Sequence, residues 1–224
     1  MQIVRLELMT DEVDSLREFY AQTLGLETRS EHRDQFEVRA GTTQLVFQKA
    51  DAGWNGAYHF AFNIPENQFD ESLKWIMERV ELLADRTGET LFLSKTWNSD
   101  SLYFKDTAGN VLEFIARHTM QNAVQKLFDG DPILSVSEIG LATEDVPALV
   151  RELGTKGIAP YKGQSDEFTA VGDEEGLFIV VKRDRIWKPD TDVLAKLLPL
   201  KVTARVGATQ FELRGFPYVI QFIG

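Results

Sequence analysis

Apolar and polar positions alternate along short stretches of this sequence, and helical patterns lie between them. IVRLEL near the amino terminus alternates with a period of two, which predicts a strand. Apolar residues from Val13 to Leu24 follow at helical spacing, and Gly25 is a residue type that ends helices well. QFEVRAG and TQLVFQK then indicate two strands around a turn. The order is strand, helix, strands.

The same order returns twice along the chain. AYHFAFNI is followed by a helical pattern from Phe69 to Val80 and by the strand patterns SLYFKD and NVLEFIARH. SEIGLAT is followed by a helix that we expect to begin at Asp145, with Pro147 in its first turn, and by EFTAVG and GLFIVVKRD. Three segments therefore share one arrangement of elements.

Letter matches support this repetition and extend it. QFEVR at 35–39 recurs as QFELR at 210–214, which predicts a fourth, shortened module, and HFAFNIPE at His59 aligns with EIGLATED at Glu138. One βαβββ module leaves a sheet face uncovered, so modules are expected to pair. The sequence therefore predicts an α+β fold of four βαβββ modules, paired into curved mixed sheets that form cups.

A boundary is predicted where modules two and three meet. The segment 119–133, TMQNAVQKLFDGDPI, ends in turn-forming residues and separates the two repeats. We predict a first domain of paired modules at 1–118 that carries the functional site, a linker at 119–133, and a second, degenerate domain of paired modules at 134–224.

Composition narrows the classes of function. The chain has 224 residues, of which 43% are hydrophobic and 26% charged, as in folded proteins. A formal net charge of -11 and the lack of a basic face disfavour nucleic acid as a partner. No stretch approaches the ~20 apolar residues of a membrane span, and we expect a cytoplasmic protein. Because cysteine is absent, any metal must be held by histidine, carboxylates or amides.

Three segments carry a family resemblance. EFYAQTLGLE, YHFAFNIPENQF and SLYFKDTAGNVLEF lie in this order between Glu18 and Phe114. They resemble the glyoxalase, bleomycin-resistance, fosfomycin-resistance and extradiol-dioxygenase superfamily, also called the vicinal oxygen chelate superfamily, and after Ile133 the resemblance is architectural only. It implies a divalent metal held in a cup by residues of the first and last strands of paired modules. The metal would act as a Lewis acid on adjacent oxygens of a small-molecule substrate.

Carried over to this sequence, the resemblance makes His59 and Glu113 metal ligands, and Mn, Fe, Ni and Zn all suit such donors. Arg5 stands where the family usually has His or Gln, and a guanidinium cannot ligate a cation. Glu7 lies on the same strand face as Arg5 and is the predicted third ligand. The alternative is that the pocket holds no metal: Glu113 would form a salt bridge with Arg5 or Arg117, and His59 would lie at the core edge, hydrogen-bonded to a neighbouring carboxylate.

Further side chains are predicted to face the substrate. Ser101 and Tyr103 match a hydroxyl-bearing strand of the fosfomycin-resistance relatives, and alternation directs both to the face of Glu113, where packing is the alternative role. We therefore predict Glu113, Tyr103 and Ser101 as catalytic residues.

Four residues are predicted to contact a ligand. Asn63 lies on the strand face of His59, and Arg5 lies in the expected cup. Trp54 and Trp97 sit in polar loops and are expected at a pocket rim, with closure of the core as the alternative.

The carboxyl-terminal half is predicted to lack a metal site of its own. Glu138 aligns with His59, but the position aligned with Glu113 is Val180, so the ligand pair is broken. This half would serve as a scaffold, an interface or a cover.

Two functions from different classes follow. The first is a metal-dependent enzyme, a lyase, thiol transferase or ring-cleaving dioxygenase, that acts on a small molecule with vicinal oxygens. The second is a metal-free protein that binds or sequesters a small molecule, as bleomycin-resistance relatives do. An association protein is a third alternative, and a homodimer is left open.

Overall fold

Each repeated segment folds as a strand, a helix and further strands. The computed structural model describes residues 1–128, 133–206, 211–213 and 216–224. Module one contains β1 (Gln2–Thr10), α1 (Val13–Glu18) continued by a π-helical turn (Phe19–Thr23), β2 (Glu27–His32), β3 (Gln35–Ala40) and β4 (Thr43–Lys49). Module two contains β5 (His59–Ile64), α2 (Phe69–Met77), β6 (Leu91–Ser94), β7 (Ser99–Lys105) and β8 (Val111–Arg117).

The second half repeats this plan and then shortens it. Module three contains β9 (Ser135–Thr143), α3 (Val146–Thr155), β10 (Pro160–Tyr161), β11 (Phe168–Asp173) and β12 (Gly176–Lys182). Module four contains β13 (Leu200–Arg205), β14 (Phe211–Leu213) and β15 (Tyr218–Ile223), with no helix in its described part. The predicted class, four βαβββ modules of which the last is shortened, is confirmed.

Local sequence signals explain where the helices begin and end. The Asp145 carboxylate accepts a hydrogen bond from the backbone N–H of Ala148 at 2.9 Å, and Pro147 occupies the first turn of α3, as predicted. Gly25 follows the first helix with a φ of 67°, a conformation that glycine adopts without strain. The helices therefore lie where the periodicity placed them.

The pairing of modules differs from the prediction. A seven-stranded sheet has the order β14-β15-β13-β1-β4-β3-β2, and an eight-stranded sheet has the order β10-β11-β12-β9-β5-β8-β7-β6. Module one thus pairs with module four, and module two with module three. The expected pairing of one with two and of three with four is wrong, because antiparallel contacts of first strands (β1 with β13, β5 with β9) decide which modules meet.

The predicted linker therefore joins two modules of one sheet. Its residues 129–132 lie outside the described residues, as do Gln210 and Arg214 of the repeated QFELR motif. The described part of that motif forms β14, which is the antiparallel neighbour of β15 as β3 is of β4. The match between QFEVR and QFELR thus marks equivalent strands.

One large core joins the two sheets. Residues with no exposed surface from both of them, such as Leu6, Phe47, Phe60 and Phe114, belong to a single cluster that also includes apolar residues of all three helices. Burial of this apolar surface is the main stabilising contribution to the fold. The opposite face of the eight-stranded sheet carries a smaller apolar cluster together with the charged residues described below.

Buried polar contacts fix the modules to one another. The Thr43 hydroxyl donates to the backbone oxygen of Ile3 at 2.7 Å and accepts from the backbone N–H of Val136 at 3.0 Å, which links the two sheets. The Tyr20 hydroxyl donates to the Asp106 carboxylate at 2.8 Å and links module one to the β7–β8 turn. Among the described residues, no helix is long and apolar enough to cross a membrane.

Candidate metal site

Strand register brings three ligand-type side chains onto one face of the eight-stranded sheet. Ala61 of β5 lies opposite Glu113 of β8 on one side and opposite Glu138 of β9 on the other. Directly opposed residues share a face, and His59 shares it because it precedes Ala61 by two positions. The small side chain of Ala61 leaves room between the two carboxylates. His59, Glu113 and Glu138 are all buried, and one ligand atom from each lies within 4.8 Å of the others.

His59 is oriented as a metal-ligating imidazole. Its Nδ1–H donates to the backbone oxygen of Val111 at 3.1 Å, so the lone pair of Nε2 is free and lies 3.8 Å from Glu113 Oε2. Such a hydrogen bond from the second ring nitrogen fixes the tautomer of a ligating histidine. Burial lowers the pKa of His59 to about 4, although the bond to Val111 opposes this shift, so the imidazole is neutral at pH 7.

The carboxylates of Glu113 and Glu138 have too little positive charge around them for both to be ionised near neutral pH. Burial and, next in size, the negative charge of Glu138 raise the pKa of Glu113 to about 8, against hydrogen bonds from Ser101 and Tyr103 and the charge of Arg117, which lower it. Burial also raises the pKa of Glu138, against the attraction of Arg117. Without a further cation, the pair therefore retains a proton near neutral pH.

Arg117 is the one buried arginine or lysine among the residues that the structure describes. Its side chain has no exposed surface, its Nη2 donates to Glu138, and its Nε donates to Asn63 Oδ1 at 3.1 Å. Asn63 Nδ2 in turn donates to the backbone oxygen of Glu174 at 2.8 Å. Asn63, which was predicted to bind ligand, therefore positions Arg117 here.

A cavity of about 650 Å³ opens over the three ligand-type residues. Aromatic and aliphatic side chains form about half of its lining, and the polar half includes three serines as well as charged groups. The lining also includes Phe92, Trp97, Ser101, Tyr103, Ile115, Phe168, Ile179, Val181, Arg185, Trp187 and Lys188. Small-molecule sites likewise combine apolar walls with polar groups that orient the ligand.

Trp187 lies directly beside the imidazole. The centroids of the His59 and Trp187 rings are 4.9 Å apart. Gly140 permits this position, because a Cβ added there would lie 2.5 Å from the indole ring. Trp187 is 6% exposed, and its Nε1 has no hydrogen-bond partner in the described part of the chain.

Two predicted site residues lie elsewhere. Arg5 and Glu7 belong to β1 of the seven-stranded sheet and do not line the cavity. Arg5 Nε donates to Glu7 at 3.0 Å and Arg5 Nη1 donates to Glu37 at 2.9 Å, so the expected pairing of Arg5 with Glu113 is replaced by pairing within its own sheet. The corresponding face of that sheet is thus filled by an ion-pair cluster.

The other predicted residues divide between the cavity and the core. Ser101 and Tyr103 line the cavity and hydrogen-bond to Glu113, and Trp97 lines it as well. Trp54 does not, because its ring packs against Tyr58 at the edge of the large core, with the two centroids 6.1 Å apart.

Glu138 was missed as a partner of His59, since the two were assigned to different cups. The β12 residue equivalent to Glu113 is Ile179, not Val180: Leu177 lies opposite Glu138 as Val111 lies opposite His59. Ile179 lines the cavity, whereas Val180 faces the large core. Of the four equivalent strand positions, three thus carry metal-ligand donors, and the fourth, Ile179, is apolar.

Comparison with known proteins supports the fold. No protein-family model matches the sequence, and no curated protein matches it. Among solved structures, a putative dioxygenase from Bacillus subtilis subsp. subtilis str. 168 matches over 99% of this chain and 85% of its own, with a TM-score of 0.62 and 13% identity. The two chains share one fold. At this identity the likeness extends to the fold alone, and the fold that the predicted resemblance implied is confirmed.

Shorter chains match about half of this one. A lactoylglutathione lyase from Agrobacterium tumefaciens covers 50% of it with 91% of its own length, at 22% identity and a TM-score of 0.43. A fosfomycin resistance protein from Listeria monocytogenes covers 52% of it with 90% of its own length, at 18% identity and a TM-score of 0.41.

Proposed function

We propose that this protein is a metal-dependent enzyme that acts on a small molecule with adjacent oxygen atoms. The observation that carries the proposal is the buried set of His59, Glu113 and Glu138 at the cavity, with His59 Nε2 free and oriented by Val111. The partner is a small molecule because the cavity, about 650 Å³, has the size of a small-molecule site.

The donor set fits a divalent cation in geometry. Bonds of about 2.1 Å place the donors of one ion about 3–4 Å apart. The separation of 3.8 Å between His59 Nε2 and Glu113 Oε2 meets this requirement as it stands. Glu138 completes the set with a small inward movement, since all three ligand atoms lie within 4.8 Å.

The donor set also fits a divalent cation in charge. Glu113 and Glu138 are buried carboxylates, and Arg117 is the buried cation that pairs with one of them. Isolated buried charges are strongly disfavoured, so a cation would take the place of the proton on the carboxylate pair. Nitrogen and oxygen donors suit Mn, Fe, Ni and Zn.

A bound divalent ion would supply Lewis acidity toward adjacent oxygens of the substrate. The chain supplies orientation around it. Ser101 and Tyr103 hold the Glu113 carboxylate, and Arg117 holds Glu138. Burial raises the pKa of Tyr103 well above its usual range, so its hydroxyl remains a donor that can stabilise a developing negative charge on oxygen.

The first test is metal uptake. Metal-free protein is titrated with Mn²⁺ by calorimetry, and we expect one ion per chain. His59→Ala, Glu113→Gln and Glu138→Gln should each lose most of the affinity, because each removes one donor. Glu7→Gln is the matched control, since Glu7 is a partly buried glutamate of the other sheet, and it should bind as the wild type does.

The second test is turnover by the metal-loaded protein. The substrates are a catechol with dioxygen, a hemithioacetal of an α-keto aldehyde, and an epoxide with a thiol, one for each reaction class. We expect one of them to react, and the Glu138→Gln variant to be inactive. Absence of Mn²⁺ uptake by the wild type, or uptake that survives all three donor substitutions, would end the proposal.

A further inference from the structure

The connection from β12 to β13 passes over the cavity and carries several of its lining residues. Residues 185–188, called the strap below, comprise Arg185, Ile186, Trp187 and Lys188, and all four line the cavity. Three of these four side chains are hydrogen-bond donors, and two of the three are cations.

The indole of Trp187 is a donor without an acceptor. The ring is held between Gly140 and His59, and Nε1 is buried with no partner in the described part of the chain. A buried N–H group without a partner costs free energy comparable to a lost hydrogen bond. An acceptor oxygen that entered the cavity would remove this cost.

Neither cation of the strap forms a salt bridge among the residues that the structure describes, although the chain carries a net charge of -11. Arg185 lies over the ring of Phe168, with the guanidinium carbon 5.4 Å from the centroid. The charge of Lys188 acts on Glu138 from the cavity side. Arg185 and Lys188 are therefore free to pair with an anionic group of a ligand.

Carboxylates also line this cavity, but they belong to another segment. Asp85 and Glu89 lie between α2 and β6, and Asp85 is occupied by hydrogen bonds from Thr87 at 2.8 Å and 2.7 Å. Neither forms an ion pair with the strap in the described residues. The cavity thus has a cationic wall at the strap and an acidic edge at 85–89.

The space between these edges suits a flat apolar body. Phe92 and Trp97 come from the β6–β7 side, and Phe168, Ile179 and Val181 come from β11 and β12. Aromatic and aliphatic walls favour a planar hydrophobic ligand.

We propose that the strap is an anion subsite, and that the substrate of this site is a flat, apolar organic molecule that bears a carboxylate. The carboxylate pairs with Arg185 and Lys188, and an oxygen of the ligand accepts the Trp187 N–H. The inference rests on the proposed function, because it takes this cavity as the substrate site and adds the chemical class of the substrate.

The test compares two probes of nearly the same shape, of which one carries a negative charge and the other is neutral. Binding of 2-naphthoate and of 2-naphthamide to metal-free protein is measured by calorimetry, so that the carboxylate cannot bind through a metal. We expect saturable binding of the naphthoate and a preference for it of about tenfold, the size of one charge-assisted interaction. The Arg185→Gln/Lys188→Gln variant should bind both probes about equally.

Two control variants outside the cavity, one for charge and one for the aromatic ring, test whether the changes in affinity arise at the strap. Lys182→Gln/Arg183→Gln removes the same charge from exposed positions outside the cavity and should retain the preference. Trp187→Phe keeps an aromatic ring but removes the N–H, and it should weaken both probes about threefold to tenfold. Trp54→Phe, outside the cavity, should leave both affinities unchanged.

The outcomes distinguish this inference from the proposed function. Mn²⁺ uptake at His59, Glu113 and Glu138 with no preference for the naphthoate would overturn the subsite and leave the metal site standing. A preference that the strap variant abolishes, in a protein that binds no metal, would support the subsite and overturn the enzyme. Failure of the naphthoate to bind, or a preference that persists in the strap variant, would also overturn the subsite.

Discussion

Arg117 offers a sharp test of the site's electrostatics. Arg117→Met removes the cation and keeps an unbranched apolar chain in place of the arginine stem. The Arg117 side chain has no exposed surface and that of Glu138 is 6% exposed, so the substitution leaves a buried carboxylate without its partner. Because loss of one member of a buried ion pair costs about 3–5 kcal/mol, we expect the free energy of unfolding to fall by that amount.

Urea denaturation at pH 7.5 with a chelator present measures this loss. With a slope of about 2–3 kcal/mol per molar urea, the midpoint should fall by about 1–2.5 M. Arg183→Met is the matched control, because Arg183 pairs with Glu144 where both side chains are about half exposed. Surface pairs contribute about 0–1 kcal/mol, so its midpoint should hardly move.

A double-mutant cycle identifies the cause. Glu138→Gln alone leaves Arg117 buried without its carboxylate, whereas the double variant Arg117→Met/Glu138→Gln leaves neither charge. We therefore expect the double variant to be more stable than the sum of the single losses implies. Simple additivity, or a loss below about 1 kcal/mol in Arg117→Met, would refute the reasoning.

The same variant should respond in the opposite sense to metal. Arg117 competes with a metal cation for the Glu138 carboxylate, and its positive charge repels that cation. Arg117→Met should therefore bind Mn²⁺ about tenfold more tightly, a difference of about 1.4 kcal/mol, although its metal-free form is less stable. Weaker binding in calorimetry would contradict this account of the buried charges.

Three further predictions concern pH and packing. Burial raises the pKa of Glu113 to about 8, so below that pH a metal must displace the proton of Glu113. The affinity for Mn²⁺ should therefore fall about tenfold per pH unit from pH 8 downward. Calorimetry in buffers of different ionisation heat measures the released proton. Tyr20→Phe removes the hydrogen bond to the buried Asp106 carboxylate and should lower the free energy of unfolding by about 1.5–3 kcal/mol in urea denaturation, and an unchanged midpoint would contradict it. Gly140→Ala places a methyl group against the indole and should displace Trp187, which a shift of its fluorescence would report and an unchanged spectrum would disprove.

Much of the fold follows from local patterns. Apolar residues at helical spacing predicted each of the described helices. The match of QFEVR with QFELR identified β14 as the counterpart of β3. Local patterns could not predict which modules share a sheet. That choice depends on contacts between β5 and β9, which are distant in sequence, and no local pattern encodes the partner of a first strand.

The residues of the candidate site could likewise be predicted only in part from the sequence. His59 and Glu113 came from the family resemblance, and both lie at the cavity. The alignment of HFAFNIPE with EIGLATED already placed Glu138 at the position of His59, and that signal would have found the third donor had modules two and three been paired. Glu7 was chosen instead because it shares a strand with Arg5, in a sheet that does not contribute to the cavity.

The strand order has a consequence for the sequence of folding events. Modules two and three are consecutive, so the whole eight-stranded sheet forms from one uninterrupted stretch, while β1 gains its antiparallel partner β13 only from the far end of the chain. Until then β1 has an open edge, which is a hazard for association with other chains. During synthesis we expect the site-bearing sheet to acquire hydrogen-exchange protection first and the seven-stranded sheet to close around it last, so that agents which delay completion of the chain promote aggregation through β1.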